Sequence, residues 1–80
     1  MKRPQILQKL AEIVQDELDD DSLSLTEQMR ASDVDGWDSI AHVRIVIGVE
    51  QAFNVRFSTV RITELKKVGD LVDLIQQSLT

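Results

Sequence analysis

The sequence predicts an all-α fold, a small four-helix bundle with three long helices and a short third one. Two observations carry this: apolar residues recur at three- and four-residue spacing in three separate segments, and only one short stretch alternates with the two-residue period of a strand. Size sets the scale. Eighty residues, 42% of them hydrophobic, suffice for one core without metal or disulfide staples, so a single domain over residues 1–80 is expected, stable by a few kcal/mol. A chain this short has little room for a deep, self-contained active site.

The first helix is expected to run to about Leu18. Pro4 sits in its opening turn, where a missing N–H costs nothing, and Ile6, Leu7, Leu10, Ile13, Val14 and Leu18 form one apolar stripe. The next stretch, DDDSLSLTEQMRASDVDG, is full of turn formers, with Leu23, Leu25, Met29 and Val34 as isolated anchors that pin a long acidic loop onto the core. Loops of this length in a compact domain commonly serve a function. The second helix begins at GWDSI, where Gly36 breaks the chain and Asp38 or Ser39 is placed to accept from the orphan N–H groups of the first turn. It continues through Phe53. Val43, Ile45, Val46, Ile47, Val49 and Phe53, with only Arg44 and Glu50 as charges, make it apolar around most of its circumference, which predicts a central position. After Asn54, VRFSTVRIT reads by local propensity as an edge strand. No second strand is available to pair with it, so a short helix or turn around 59–65 is expected instead. Val68, Leu71, Val72 and Ile75 then mark one face of a last helix.

Charge and composition exclude several functions. The net charge is −5 and the nine Lys and Arg form no dense cluster, against the needs of a phosphate backbone, so no nucleic-acid partner is expected. No apolar run approaches the length of a membrane span and the start MKRPQ does not lead into a signal-peptide core, so a cytoplasmic chain is expected. There is no cysteine, hence no disulfide, no thiolate zinc site and no nucleophilic thiol; thiol chemistry would require a borrowed sulfur. The acidic charge is concentrated. Between 19 and 38, Asp19, Asp20, Asp21, Glu27, Asp33, Asp35 and Asp38 face Arg30 alone, a local charge of −6 that adjoins Ser39 and steers cationic surfaces toward it.

This region admits three chemical readings. DVDG resembles part of a calcium loop, but with Gly36 in the sixth position the first and twelfth would be Ala31 and His42, so both essential acidic ligands are missing and no metal site is expected. Asp38, Ser39 and His42 invite a hydrolytic triad, yet an acyl-transfer site also needs an oxyanion hole and a cleft. Ser39 is otherwise an ordinary helix cap, contributing about 1 kcal/mol.

The whole string GWDSIAHVRIVIGVEQAF resembles the acyl carrier protein family, whose attachment motif is an Asp-Ser-Leu-like triplet after a Gly-containing loop; here it is Asp38, Ser39 and Ile40. Glu50, Phe53 and Phe57, and the run Val68 to Ile75, extend the resemblance to about residues 6–77. It implies a four-helix bundle that is no enzyme. It also implies 4′-phosphopantetheine, derived from coenzyme A, on the Ser39 hydroxyl, with acyl groups carried as thioesters between partner enzymes. A phosphodiester at the start of a helix is favoured by the free N–H groups and the dipole. The implied partners are a phosphopantetheinyl transferase, an acyl-loading ligase or synthase, and acyltransferases. The apolar residues between helices would shelter part of an acyl chain, with the short third helix controlling entry, and such binding would raise thermal stability.

One departure from the family pattern bears on partners. The second helix of fatty-acid carriers is strongly acidic, whereas here His42 and Arg44 occupy that face and residues 39–53 sum to zero. Docking is therefore expected to use Asp33, Asp35 and Asp38 with apolar contacts from Ile40 and Ile45, while Arg44 selects against general fatty-acid enzymes. Trp37 is either an anchor holding the loop or a partner contact beside the arm. The sequence thus points to a free-standing, monomeric carrier of specialised fatty-acid, polyketide, lipid or polysaccharide-modification chemistry. A carrier of aminoacyl or hydroxyacyl groups, or an unmodified interaction module, are the alternatives.

Overall fold

The computed structural model describes residues 1–79. It consists of α1 (Arg3–Leu18), a single 3₁₀ turn (Ala31–Asp33), α2 (Ser39–Phe53), α3 (Thr59–Thr63) and α4 (Val68–Leu79), with no strand among the described residues. The expected three long helices and one short one are present, close to their expected bounds.

α1 opens with Pro4 in its first turn, and Gln5 reaches back to accept from the Lys2 backbone N–H at 3.0 Å. It ends at Asp19 and α2 ends at Asn54, both left-handed, with φ of 53° and 56°; short polar side chains tolerate that conformation, which turns the chain out of the helix. The apolar stripe of α1 buries Ile6, Leu10 and Val14 against Ile45, Val49 and Phe53 of α2 and Val68, Leu71, Val72 and Ile75 of α4. α1 therefore packs on both partners.

The long loop closes the end of this core. Leu25 and Val34 are buried in it, and Leu23 and Met29 pack against it, as their isolation among polar residues implied. Its backbone also caps α4: the Met29 carbonyl accepts from Val68 N–H at 2.8 Å and the Glu27 carbonyl from Gly69 N–H at 2.9 Å. Glycine suits this approach, since a Cβ at 69 would stand 3.0 Å from the Glu27 carbonyl oxygen and the loop would have to give. Arg3 ties the same corner together, pairing with Glu27 of the loop and Asp73 of α4 and donating to Gln76 Oε1 at 3.2 Å.

The remaining N–H groups before α4 are met by Asp70, whose Oδ2 accepts from Lys67 N–H at 2.9 Å and Lys66 N–H at 3.0 Å. These bonds, the one from Lys67 first, hold the Asp70 carboxyl below the usual carboxylate range. A depressed value in the folded state means the stabilisation is fully present above the ordinary carboxylate pKa and is lost as pH falls through the depressed one. Asp70→Ala is expected to cost about 1 kcal/mol at neutral pH, the usual magnitude for a lost helix cap. In urea denaturation the gap between wild type and variant should close in strongly acidic buffer.

Two expectations about the middle of the chain are refined. The alternating stretch is extended only over its first residues, where Val55 is buried, Phe57 packs on the core and Phe57 N–H donates to Glu50 Oε2 at 2.9 Å. Ser58 then accepts from Arg61 N–H at 3.2 Å and starts α3. The Glu50 carboxylate supplies the acceptor that a partner strand would have offered. α2, read as central on apolar content, is covered on one side only. Ile45, Val46, Val49 and Phe53 are buried, whereas Ile40, Val43 and Ile47 are 66%, 56% and 47% exposed. For Val43 and Ile47 the reason lies in α3, which is five residues long and buries no side chain of its own, so it borders the groove beside them without sealing it.

Candidate functional site

The open side of α2 begins at Ser39. The chain reaches it through Gly36, whose φ of +87° is strained for any residue with a Cβ, and through two short bonds, Trp37 N–H to the Val34 carbonyl at 3.2 Å and Asp38 N–H to the Gly36 carbonyl at 3.0 Å. This turn fixes which residue caps the helix. Asp38 is extended and its Oδ1 accepts from Ala41 N–H at 2.8 Å, so Asp38 is the N-cap and Ser39 is the first helical residue. Ser39 is exposed, and its hydroxyl takes no hydrogen bond among the described residues. The capping role that the sequence left open between the two residues thus falls to Asp38, and the serine oxygen stays free at the positive end of a 15-residue helix.

Trp37 is half-buried and packs against the core, and its indole N–H donates to His42 Nδ1 at 3.2 Å. The two rings are stacked, with centroids 6.2 Å apart and planes 29° from parallel. Of the two roles considered for Trp37, this packing is what the anchor requires. It also argues against a hydrolytic Ser39–His42 pair. A neutral imidazole has one acceptor nitrogen, and here that nitrogen is engaged by Trp37, leaving no lone pair to take a proton from Ser39. No group of three His, Asp or Glu side chains able to hold a metal occurs among the described residues.

Beside Ser39 an open groove of about 690 Å³ runs between α2 and α3. Trp37 and His42 line one end; Val43, Val46, Ile47 and Ile62 make it apolar along its length. The exposed Val43 and Ile47 were not singled out as site residues. The signal was in their spacing, since Ser39, Val43 and Ile47 share one helix face; what hid it was that such a stripe more often faces a core.

On the other side of Ser39, Ile40 and Arg44 line a second, smaller concavity with Glu17, Leu18 and Asp38. Asp33, Asp35 and Asp38 are all exposed near the start of α2, with Asp33 accepting from Arg30 N–H at 2.9 Å across the 3₁₀ turn. Arg44 is exposed as well. Ile45, expected among the docking contacts, is corrected: it is 0% exposed and belongs to the core. One residue of helix rotates a side chain by about 100°, enough to turn 45 inward while 44 faces water.

Comparison with known proteins accords with this geometry. The sequence pattern of the family described as "Phosphopantetheine attachment site" matches residues 8–75. An acyl carrier protein of Tropheryma whipplei is 34% identical over 77 residues, spanning 94% of this chain and 92% of that protein. Among solved structures, a holo acyl carrier protein of Geobacter metallireducens superposes with a TM-score of 0.86 at 36% identity, covering 92% of this chain and 85% of its own. An acyl carrier protein of Thermotoga maritima gives 0.87 at 28% identity, covering 99% and 92%.

Proposed function

The chain belongs to the phosphopantetheine-attachment family of acyl carrier proteins, and on that premise we propose that Ser39 is its attachment residue, holding a 4′-phosphopantetheine arm by a phosphodiester. One observation carries the assignment: within the triplet Asp38, Ser39, Ile40 the serine hydroxyl is exposed and unbonded at the start of α2, because Asp38 has taken over the capping bond. The arm supplies a terminal thiol for thioester formation, which a chain without cysteine lacks. The protein's own residues present the hydroxyl, hold the loop in place and offer surface. The apolar groove beside Ser39 is suited to shelter part of an acyl chain.

The charge of the surface supports a specialised set of partners: a phosphopantetheinyl transferase, an acyl-loading ligase or synthase, and acyltransferases of modified-lipid, polyketide or polysaccharide chemistry. Around Ser39 the exposed groups are Asp33, Asp35, Asp38, Ile40 and Arg44, and α2 has no net charge. A partner that docks on carriers through Lys and Arg meets the like charge of Arg44. Arg44→Glu is expected to raise kcat/KM with such an enzyme by up to about tenfold, which corresponds to ~1.4 kcal/mol. Unchanged kinetics with every partner would remove Arg44 from recognition.

Intact mass before and after incubation with coenzyme A and a broadly tolerant phosphopantetheinyl transferase tests the attachment. A gain of one phosphopantetheine is expected. No gain with any transferase would overturn the proposal and favour an unmodified interaction module.

A further inference from the structure

We infer that His42 is a positioning residue for the arm, its Nε2–H donating to the phosphodiester on Ser39; the inference rests on Ser39 being the attachment residue. The tautomer follows from the partner. Indole N–H can only donate, so His42 Nδ1, 3.2 Å from Trp37 Nε1, is the acceptor, and the single ring proton of the neutral imidazole resides on Nε2. That bond holds the rotation of the imidazole, whose plane lies 29° from that of the indole. Nε2 lies on the far edge of the ring from Nδ1 and so is left free of Trp37.

The place of His42 makes this donor useful. It follows Ser39 by three residues, on the same helix face, and both line the groove between α2 and α3. No Lys or Arg lines that groove among the described residues, and Thr63, on its α3 side, spends its hydroxyl proton on the Val60 carbonyl. Asp38 lines it as a carboxylate. A phosphodiester on Ser39 therefore stands beside a like charge, which α2's first N–H groups and the His42 N–H offset from its own helix, with the Thr59 hydroxyl as the donor on the facing wall. Trp37 thereby acts twice, as the loop's anchor and as the residue that selects the donor tautomer.

The test uses the full chain, apo and loaded, with intact mass confirming complete loading before any spectrum is read. Long-range ¹H–¹⁵N spectra of the imidazole are expected to show the Nε2–H tautomer in the apo protein and a shift of the His42 ring resonances on loading. The ³¹P resonance of the phosphodiester should move in His42→Leu and return toward wild type in His42→Gln, whose amide restores a donor. Trp37→Phe, which removes the bond to Nδ1, should move the same ³¹P line and lower the share of the Nε2–H tautomer. An Nδ1–H tautomer in the wild-type apo protein would overturn the inference, and it requires no variant to fold. So would a fully loaded wild type whose His42 resonances match the apo form and whose ³¹P line coincides with that of loaded His42→Leu. Absence of any mass gain is a separate result, one that removes Ser39 as the attachment residue and this inference with it.

Discussion

Ser39→Ala is expected to abolish loading completely, with no gain of mass after incubation with coenzyme A and transferase, while unfolding within about 0.5 kcal/mol of wild type as surface substitutions usually do. The two halves of this result have one cause. Asp38, not Ser39, satisfies the N–H of Ala41, and the serine hydroxyl bonds to nothing in the described protein, so alanine removes a nucleophile without removing a cap. The converse variant checks the assignment. Asp38→Ala keeps the hydroxyl but leaves the first turn of α2 short of an acceptor, at a cost of about 1 kcal/mol. Urea denaturation of the two variants beside their intact masses separates the roles. A Ser39→Ala protein that still gains mass would move attachment elsewhere, and one destabilised as much as Asp38→Ala would return Ser39 to being a cap.

Ile45→Ala is expected to lower stability by about 3 kcal/mol, within the usual range for truncating a large core aliphatic side chain. Ile45 is fully buried in the cluster that joins α1, α2 and α4. For a domain of this size that corresponds to a fall in Tm of roughly 12–24 °C, a large part of its total stability. Ile40→Ala, five residues earlier on the same helix, should leave Tm within a few degrees, because Ile40 is already 66% in water. Its effect should appear in turnover by partner enzymes. Calorimetry on the pair therefore distinguishes a core position from a surface one. Equal losses of Tm would mean that Ile40 is buried in solution and that the exposed face of α2 is covered.

The helices themselves were legible in the chain. The three- and four-residue spacing of Ile6, Leu10 and Val14, the break at Gly36, the run through Phe53 and the face formed by Val68, Leu71, Val72 and Ile75 correspond to the helices found, since helical periodicity is a local property of sequence. The triplet at Asp38, Ser39 and Ile40, on which the proposed attachment rests, could be picked out equally early, because it is a pattern of adjacent residues. Even the alternating stretch after Asn54 resolved correctly into a short helix, on the ground that a lone strand leaves its backbone unpaired.

Which face of α2 meets the core could not be read in the same way, since its apolar residues surround the helix. Only packing decided that Ile45 turns inward while Ile40, Val43 and Ile47 stay in water; beside Val43 and Ile47 the bordering element is a five-residue α3, too short to cover them. The choice of Asp38 over Ser39 as cap likewise depended on backbone angles set by the Gly36 turn. The bond between Trp37 and His42, and the loop carbonyls of Glu27 and Met29 that cap α4, lay further still from what a sequence can state. Periodicity and adjacent motifs fix which elements form and which serine is offered, whereas facing, capping and ring tautomer are contacts between distant or differently oriented groups, and these exist only once the chain has folded.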